Sequence, residues 1–179
     1  MMAAMSLAPI GVSITLSYIP VYFLFGYFFA PTVPPLSRRS LYSLLGAAAL
    51  FALAAVAVYL VPNVWWGNRV QHAFGGGFVI LFICYRAAVD AQLDIARLKF
   101  VIFSAFIVTA LGVCNELIEL TLQTYTHYVF SSTVTDTWFD LASNTVGLAL
   151  GSVVFAPLIG ARSMMRSLPG TIRVREKDS

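Results

Sequence analysis

Apolar and polar positions alternate along this chain in long blocks. Crossing a hydrocarbon core of roughly 30 Å takes about 20 apolar residues in a helix, and five runs reach that length: about residues 8–30, 41–61, 70–88, 100–122 and 138–158. The first holds Pro20 and predicts a kink there, because proline removes one backbone donor and crowds the carbonyl four residues earlier. The Pro- and Arg-bearing stretch PTVPPLSRRS ends it. The second, GAAALFALAAVAV, is small-residue rich and predicts close packing inside a bundle. NVWWGNR follows, with Trp65 and Trp66 where an aromatic belt would sit. The third run carries Gly75, Gly76 and Gly77, a signal for helix contact or local distortion. After it, RAAVDAQLDIARLK reads as a solvated connector, or a short surface helix, bearing Arg86, Asp90, Asp94, Arg97 and Lys99. The fifth run has a Gly147-x-x-x-Gly151 packing face. The predicted fold is all-α: a polytopic membrane helix bundle with five transmembrane helices, one domain over residues 1–160 and a basic tail over 161–179.

Composition strengthens this picture. Of 179 residues, 59% are hydrophobic and 11% charged, against about 25% charged in a typical soluble domain. The net charge of +3 is dispersed among short loops and the tail, so no nucleic-acid partner is expected. Lys and Arg report topology instead. The stretches after the first and third runs and the tail hold two, three and five of them, and the stretch after the second run holds one. By the positive-inside rule the amino terminus lies outside and the carboxyl terminus in the cytoplasm, and the expected location is a bacterial inner membrane. The amino terminus lacks the charged region of a signal peptide and is expected to be retained. Cys84 and Cys114 show no metal-binding spacing and read as small buried apolar side chains.

Polar groups inside the apolar runs then need a reason, since each ionisable group at membrane depth costs about 2.5 kcal/mol or more on insertion scales. With five spans, Arg69 and His72, Glu116 and Glu119, and Asp136, Asp140 and Asn144 all fall at one level near the outer face, and no comparable group is expected in the cytoplasmic halves. Glu116 and Glu119 lie about 60° apart on a helical wheel, while Asp136, Asp140 and Asn144 follow at four-residue steps. Each helix therefore presents one polar stripe. Glu116, Glu119, Asp140 and His72 are the candidate catalytic residues; Arg69, Asp136 and Asn144 are the candidate binding residues. Plainer readings stand beside these: Asp136 as an N-cap, Asn144 as an interhelical hydrogen-bonder, Arg69 as an interface anchor or a holder of lipid phosphate, and His127 as a solvated loop residue. A divalent metal between Glu116, Asp140 and His72 has no dedicated motif such as H-E-x-x-H behind it, and neither metal nor cofactor is expected.

These residues also carry a family resemblance. Asp140-Leu-Ala-Ser-Asn144-Thr-Val-Gly147-Leu-Ala-Leu-Gly151 resembles the D-x-x-x-N-x-x-G-x-x-x-G signature of VanZ-like membrane proteins. Glu116-Leu-Ile-Glu119 resembles that family's E-x-x-Q helix, and Asn68-Arg69-Val-Gln-His72-Ala-Phe74 its D-K-x-x-H-F element. The likeness covers about residues 63–155. Asn68 stands in place of an acid, Arg69 in place of lysine and Glu119 in place of glutamine, and the linker THYVFSSTVT lacks a P-G-R-like turn. The resemblance implies a multi-span bacterial envelope protein, the founding member being linked to resistance against lipid-linked glycopeptide antibiotics. The expected function is binding or modification of a lipid or cell-wall-related ligand, with one carboxylate as base and His72 or a protonated partner as acid. The alternative is an accessory or structural subunit whose partners are membrane lipids and other membrane proteins. A proton-linked transporter is disfavoured, as no inverted repeat appears.

Overall fold

The computed structural model describes residues 10–126 and 133–167, with side chains to residue 159. His127 and the end of the basic tail lie outside the described residues. The described residues form helices and no strands, and five of the helices are long and apolar enough to cross a membrane: α1 (Ile10–Phe29), α2 (Arg38–Tyr59), α3 (Val64–Asp90), α4 (Arg97–Thr126) and α5 (Val134–Ser167). The protein is a multi-pass membrane helix bundle. Leu53, Phe106 and Val153 point out of the bundle, as lipid-facing residues do where hydrocarbon replaces water.

Helix ends follow local chemistry, and this moves several expected boundaries. Ser37 caps α2: its hydroxyl accepts from the Arg39 amide, and its own amide donates to the Ser40 hydroxyl. Asn63 caps α3 by accepting from the amides of Trp65 and Trp66. The helix therefore begins six residues before the apolar run, and Asn68, Arg69 and His72 share one helical surface. The disruption expected at Pro20 falls one turn earlier, where α1 breaks at Ser17, because the proline ring crowds the preceding turn rather than its own. Ser17 Oγ donates to the carbonyl of Ile14 there.

α3 is the central helix. Burial reaches 56% of its apolar window, against 17–28% for the other four. Its second half packs Leu81, Ile83, Cys84 and Ala87 against Tyr18, Tyr22 and Phe25 of α1 and Ala47 of α2. Its middle, His72–Phe78, is a π-helix in which the Val79 amide donates to the Phe74 carbonyl five residues back. The glycine run thus marks both a distortion and a contact: the π-segment makes the most extensive interhelical contact of the bundle, with α5. A Cβ on Gly77 would fall 2.7 Å from Gly147 Cα.

The stretch expected to be a solvated connector is largely helix and partly core. Arg86 and Asp90 belong to α3, which ends where Gln92 turns with φ 54°, and the exposed positions there are Gln92, Asp94, Ala96 and the first residues of α4. Asp90 is buried and accepts from Tyr18 Oη at 2.8 Å, from Arg86 at 2.9 Å and from Ser43 Oγ. The bundle therefore has a polar cluster at the end away from Arg69, which corrects the expectation that this half holds no such group. Four-residue spacing alone could not show it, because two of the partners come from α1 and α2.

Candidate functional site

Three helices deliver the polar stripes to one place. Asp140 is 2% exposed, and its Oδ1 accepts from the Arg69 guanidinium, from Asn68 Nδ2 at 3.0 Å and lies 3.4 Å from His72 Nε2. Arg69 also pairs with the Asp136 carboxylate and donates to the Asp136 carbonyl at 3.4 Å. Its plane rests over Trp65 at 4.8 Å and Phe139 at 5.4 Å. A guanidinium fork held by two carboxylates and two rings is fixed in direction and largely dry. It is held inside the bundle by these carboxylates, and its Nε is a buried donor without a hydrogen-bond partner among the described residues. Trp65 is likewise more than a belt residue.

Glu116 comes from α4. It is 9% exposed, and its Oε1 is a buried acceptor with no hydrogen-bond partner among the described residues. One ligand atom each of His72, Glu116 and Asp140 lies within 4.8 Å of the others, so this trio has the donor types and the spacing to hold a metal ion. Glu119, one turn along, is partly buried and accepts from Asn115 Nδ2 at 2.7 Å. Asn144 is 5% exposed with an unpartnered Oδ1. It lies against Gly112 of α4, where a Cβ would come 2.9 Å from Asn144 Nδ2, and against Gly76 of α3. Glycine at these two places leaves room for the amide.

A cavity of about 160 Å³ opens beside these groups, lined by residues of all five helices. His72, Asn115, Glu119 and Asn144 line one side, and Phe51, Ile80 and Leu111 the other. Such a volume accepts a few waters or a small headgroup, and its mixed lining suits a ligand with one polar end. Cys114, expected to be buried, is exposed and lines the same cavity, whereas Cys84 is buried as expected.

All seven residues singled out in the sequence lie in this region. Arg69, His72, Asp136, Asp140 and Glu116 form its centre, and Glu119 and Asn144 face the cavity. The sequence reading missed three contributors. Asn68, named above only for its place in a motif, is four residues before His72 and shares its face. Asn115 precedes Glu119 by the same step. Gly112 carries no chemistry and gives no signal except its size. The protein-family models, the curated proteins and the solved structures contain no match to this chain.

Proposed function

We propose that the chain is a VanZ-like protein of the bacterial cell envelope, sitting in the cytoplasmic membrane with its amino terminus outside. On this reading the cavity beside His72, Glu119 and Asn144 takes the polar part of a lipid or cell-wall-related ligand near the outer leaflet. One observation carries it: Glu116 Oε1 and Asn144 Oδ1 are buried acceptors without hydrogen-bond partners among the described residues, and Asn144 lines a cavity. Leaving such a group unsatisfied costs roughly 1–3 kcal/mol, a cost with no structural return unless something binds. Asn68 fits the reading despite its departure from the family pattern, because an amide can donate to Asp140 where an acid would repel it. In a catalytic version, Glu116 is the base and His72 the acid.

A second reading has its own support. Arg69 pairs with both Asp136 and Asp140, and these pairs join α3 to α5. A chain used only as an accessory subunit would need no more than this lock, with its small-residue faces docking partner subunits. The Oε1 of Glu116, without a hydrogen-bond partner among the described residues, favours the first reading.

Glu116→Gln separates the two. The ligand-site reading expects the variant to insert and accumulate normally while the envelope phenotype of a deletion strain is not rescued. Loss of the folded protein in the membrane, or full rescue by it, would contradict the proposal. Orientation has a separate check. Thr133 is exposed at the start of α5. In a Cys114→Ser background, Thr133→Cys should react with an impermeant maleimide on intact cells, and reaction only after permeabilisation would reverse the topology.

A further inference from the structure

The trio of His72, Glu116 and Asp140 is more than a polar lining. We propose that it is a divalent-cation site, with zinc or manganese as the ion class, placed between α3, α4 and α5. Their donor atoms come within 4.8 Å of one another, although they sit up to 68 positions apart in sequence. Glu116 supplies an independent observation, since its Oε1 is a buried acceptor with no hydrogen-bond partner among the described residues.

Distances decide whether an ion fits. Zinc holds nitrogen and oxygen ligands at roughly 2.0–2.2 Å, so two ligands at a tetrahedral angle stand about 3.4 Å apart. His72 Nε2 and Asp140 Oδ1 are 3.4 Å apart. Glu116 has to close from at most 4.8 Å to that spacing, up to about 1.4 Å, a shift within reach of a change in its side-chain torsions. One imidazole with two carboxylates suits zinc or manganese better than the soft Cu(I), which selects thiolates, or calcium, which takes oxygen alone.

Charge points the same way. Four carboxyl groups, Glu116, Glu119, Asp136 and Asp140, gather here, and Arg69 is the one Lys or Arg side chain paired with any of them among the described residues. A dication removes most of that excess in a setting where water cannot. Outer contacts that orient metal ligands are also present: Asn68 and Arg69 both hold Asp140. His72 also lines the cavity, so an ion held by these three ligands has open positions on that side. A phosphate or carboxylate oxygen of a headgroup would reach it there. That last ligand rests on the function proposed above, whereas the metal does not.

The test uses full-length protein purified in detergent, stripped with a chelator and titrated with Zn²⁺ by calorimetry and with Mn²⁺ by electron paramagnetic resonance. One ion per chain should bind and raise the melting temperature. His72→Gln and Glu116→Gln should each weaken binding at least about tenfold, and Cys114→Ser should bind as the native chain does. No ion bound, binding unchanged in both ligand variants, or binding lost with Cys114 would overturn the site. A chain that binds no ion yet still loses its envelope phenotype on Glu116→Gln would sink the metal and leave the ligand site standing. Because Glu116 makes no hydrogen bond through Oε1, its amide variant keeps the fold and the comparison stays readable.

Discussion

Arg69→Met should lower the unfolding free energy of the detergent-solubilised protein by about 3 kcal/mol or more. Breaking a buried ion pair from one side leaves the partner charge uncompensated, and that penalty runs to roughly 3–5 kcal/mol. Here Arg69 faces two partners, one 21% and the other 3% exposed in their side chains. It also loses its stacking on Trp65 and Phe139. Lysine should recover only part of this, since a point charge cannot span both carboxylates with a planar fork. The cause can be isolated. If the unpaired acids are responsible, adding Asp136→Asn and Asp140→Asn to Arg69→Met should restore much of the stability. If the triple variant is no better than the single one, the packing of the guanidinium is what counts. Denaturant titration followed by circular dichroism gives the comparison.

Gly147→Ala is the second large effect expected. A Cβ at this position would overlap the carbonyl oxygen of Ala73 and come 2.9 Å from Gly77 Cα. Both obstacles are backbone, so neither can rotate away. Overpacking a close contact costs typically 1–3 kcal/mol, and valine should exceed alanine. Since α5 carries Asp140 and Asn144 on the same surface, pushing it from the π-segment also shifts the site. Gly151→Ala is the internal comparison, because its Cβ would meet the Leu81 side chain, 2.7 Å away at Cδ2, and a leucine can move. Gly147→Ala should therefore reduce thermal stability more than Gly151→Ala, and equal losses would show that α3 and α5 are not packed as tightly as described.

These two positions also show what the sequence made legible. The glycines of α5 and the triple glycine of α3 were visible as small-residue signals, and they do form the helix contact. The convergence of Arg69, His72, Glu116, Asp136 and Asp140 was legible because five spans in a known alternation fix depth, and depth is what brings remote residues together. Azimuth was not legible. No rule of spacing told Arg69 to pair with Asp136 and Asp140 and not with Glu116, since that depends on the rotation of α4 against α5. The cluster around Asp90 was hidden for a related reason. Arg86 and Asp90 at a four-residue step beside further basic residues look like any solvated helix end, and only Tyr18 and Ser43 arriving from other helices bury the carboxylate. The early start of α3 was hidden too, because Asn63 extends the helix by hydrogen bonding while hydropathy begins only at Val70.

The two polar clusters differ in a way that bears on function. At the Asp90 end, hydroxyls and a guanidinium satisfy both carboxylate oxygens. At the Asp140 end, Arg69 and Asn68 both bond Asp140 Oδ1, but Glu116 Oε1 and Asn144 Oδ1 have no hydrogen-bond partner among the described residues, and Asn144 lines a cavity. A brace has no use for open acceptors, whereas a binding site does.

Glu116 is therefore the residue on which the account turns, and its stability is the most direct test. Thermal unfolding of purified Glu116→Gln should give a melting temperature equal to or above that of the native chain, because a buried carboxyl whose Oε1 bonds to nothing among the described residues is replaced by an amide of the same shape. Arg69→Met should fall well below both. A melting temperature for Glu116→Gln as low as that of Arg69→Met would show that the carboxylate holds the helices together, and the polar region would then be a lock and not a site.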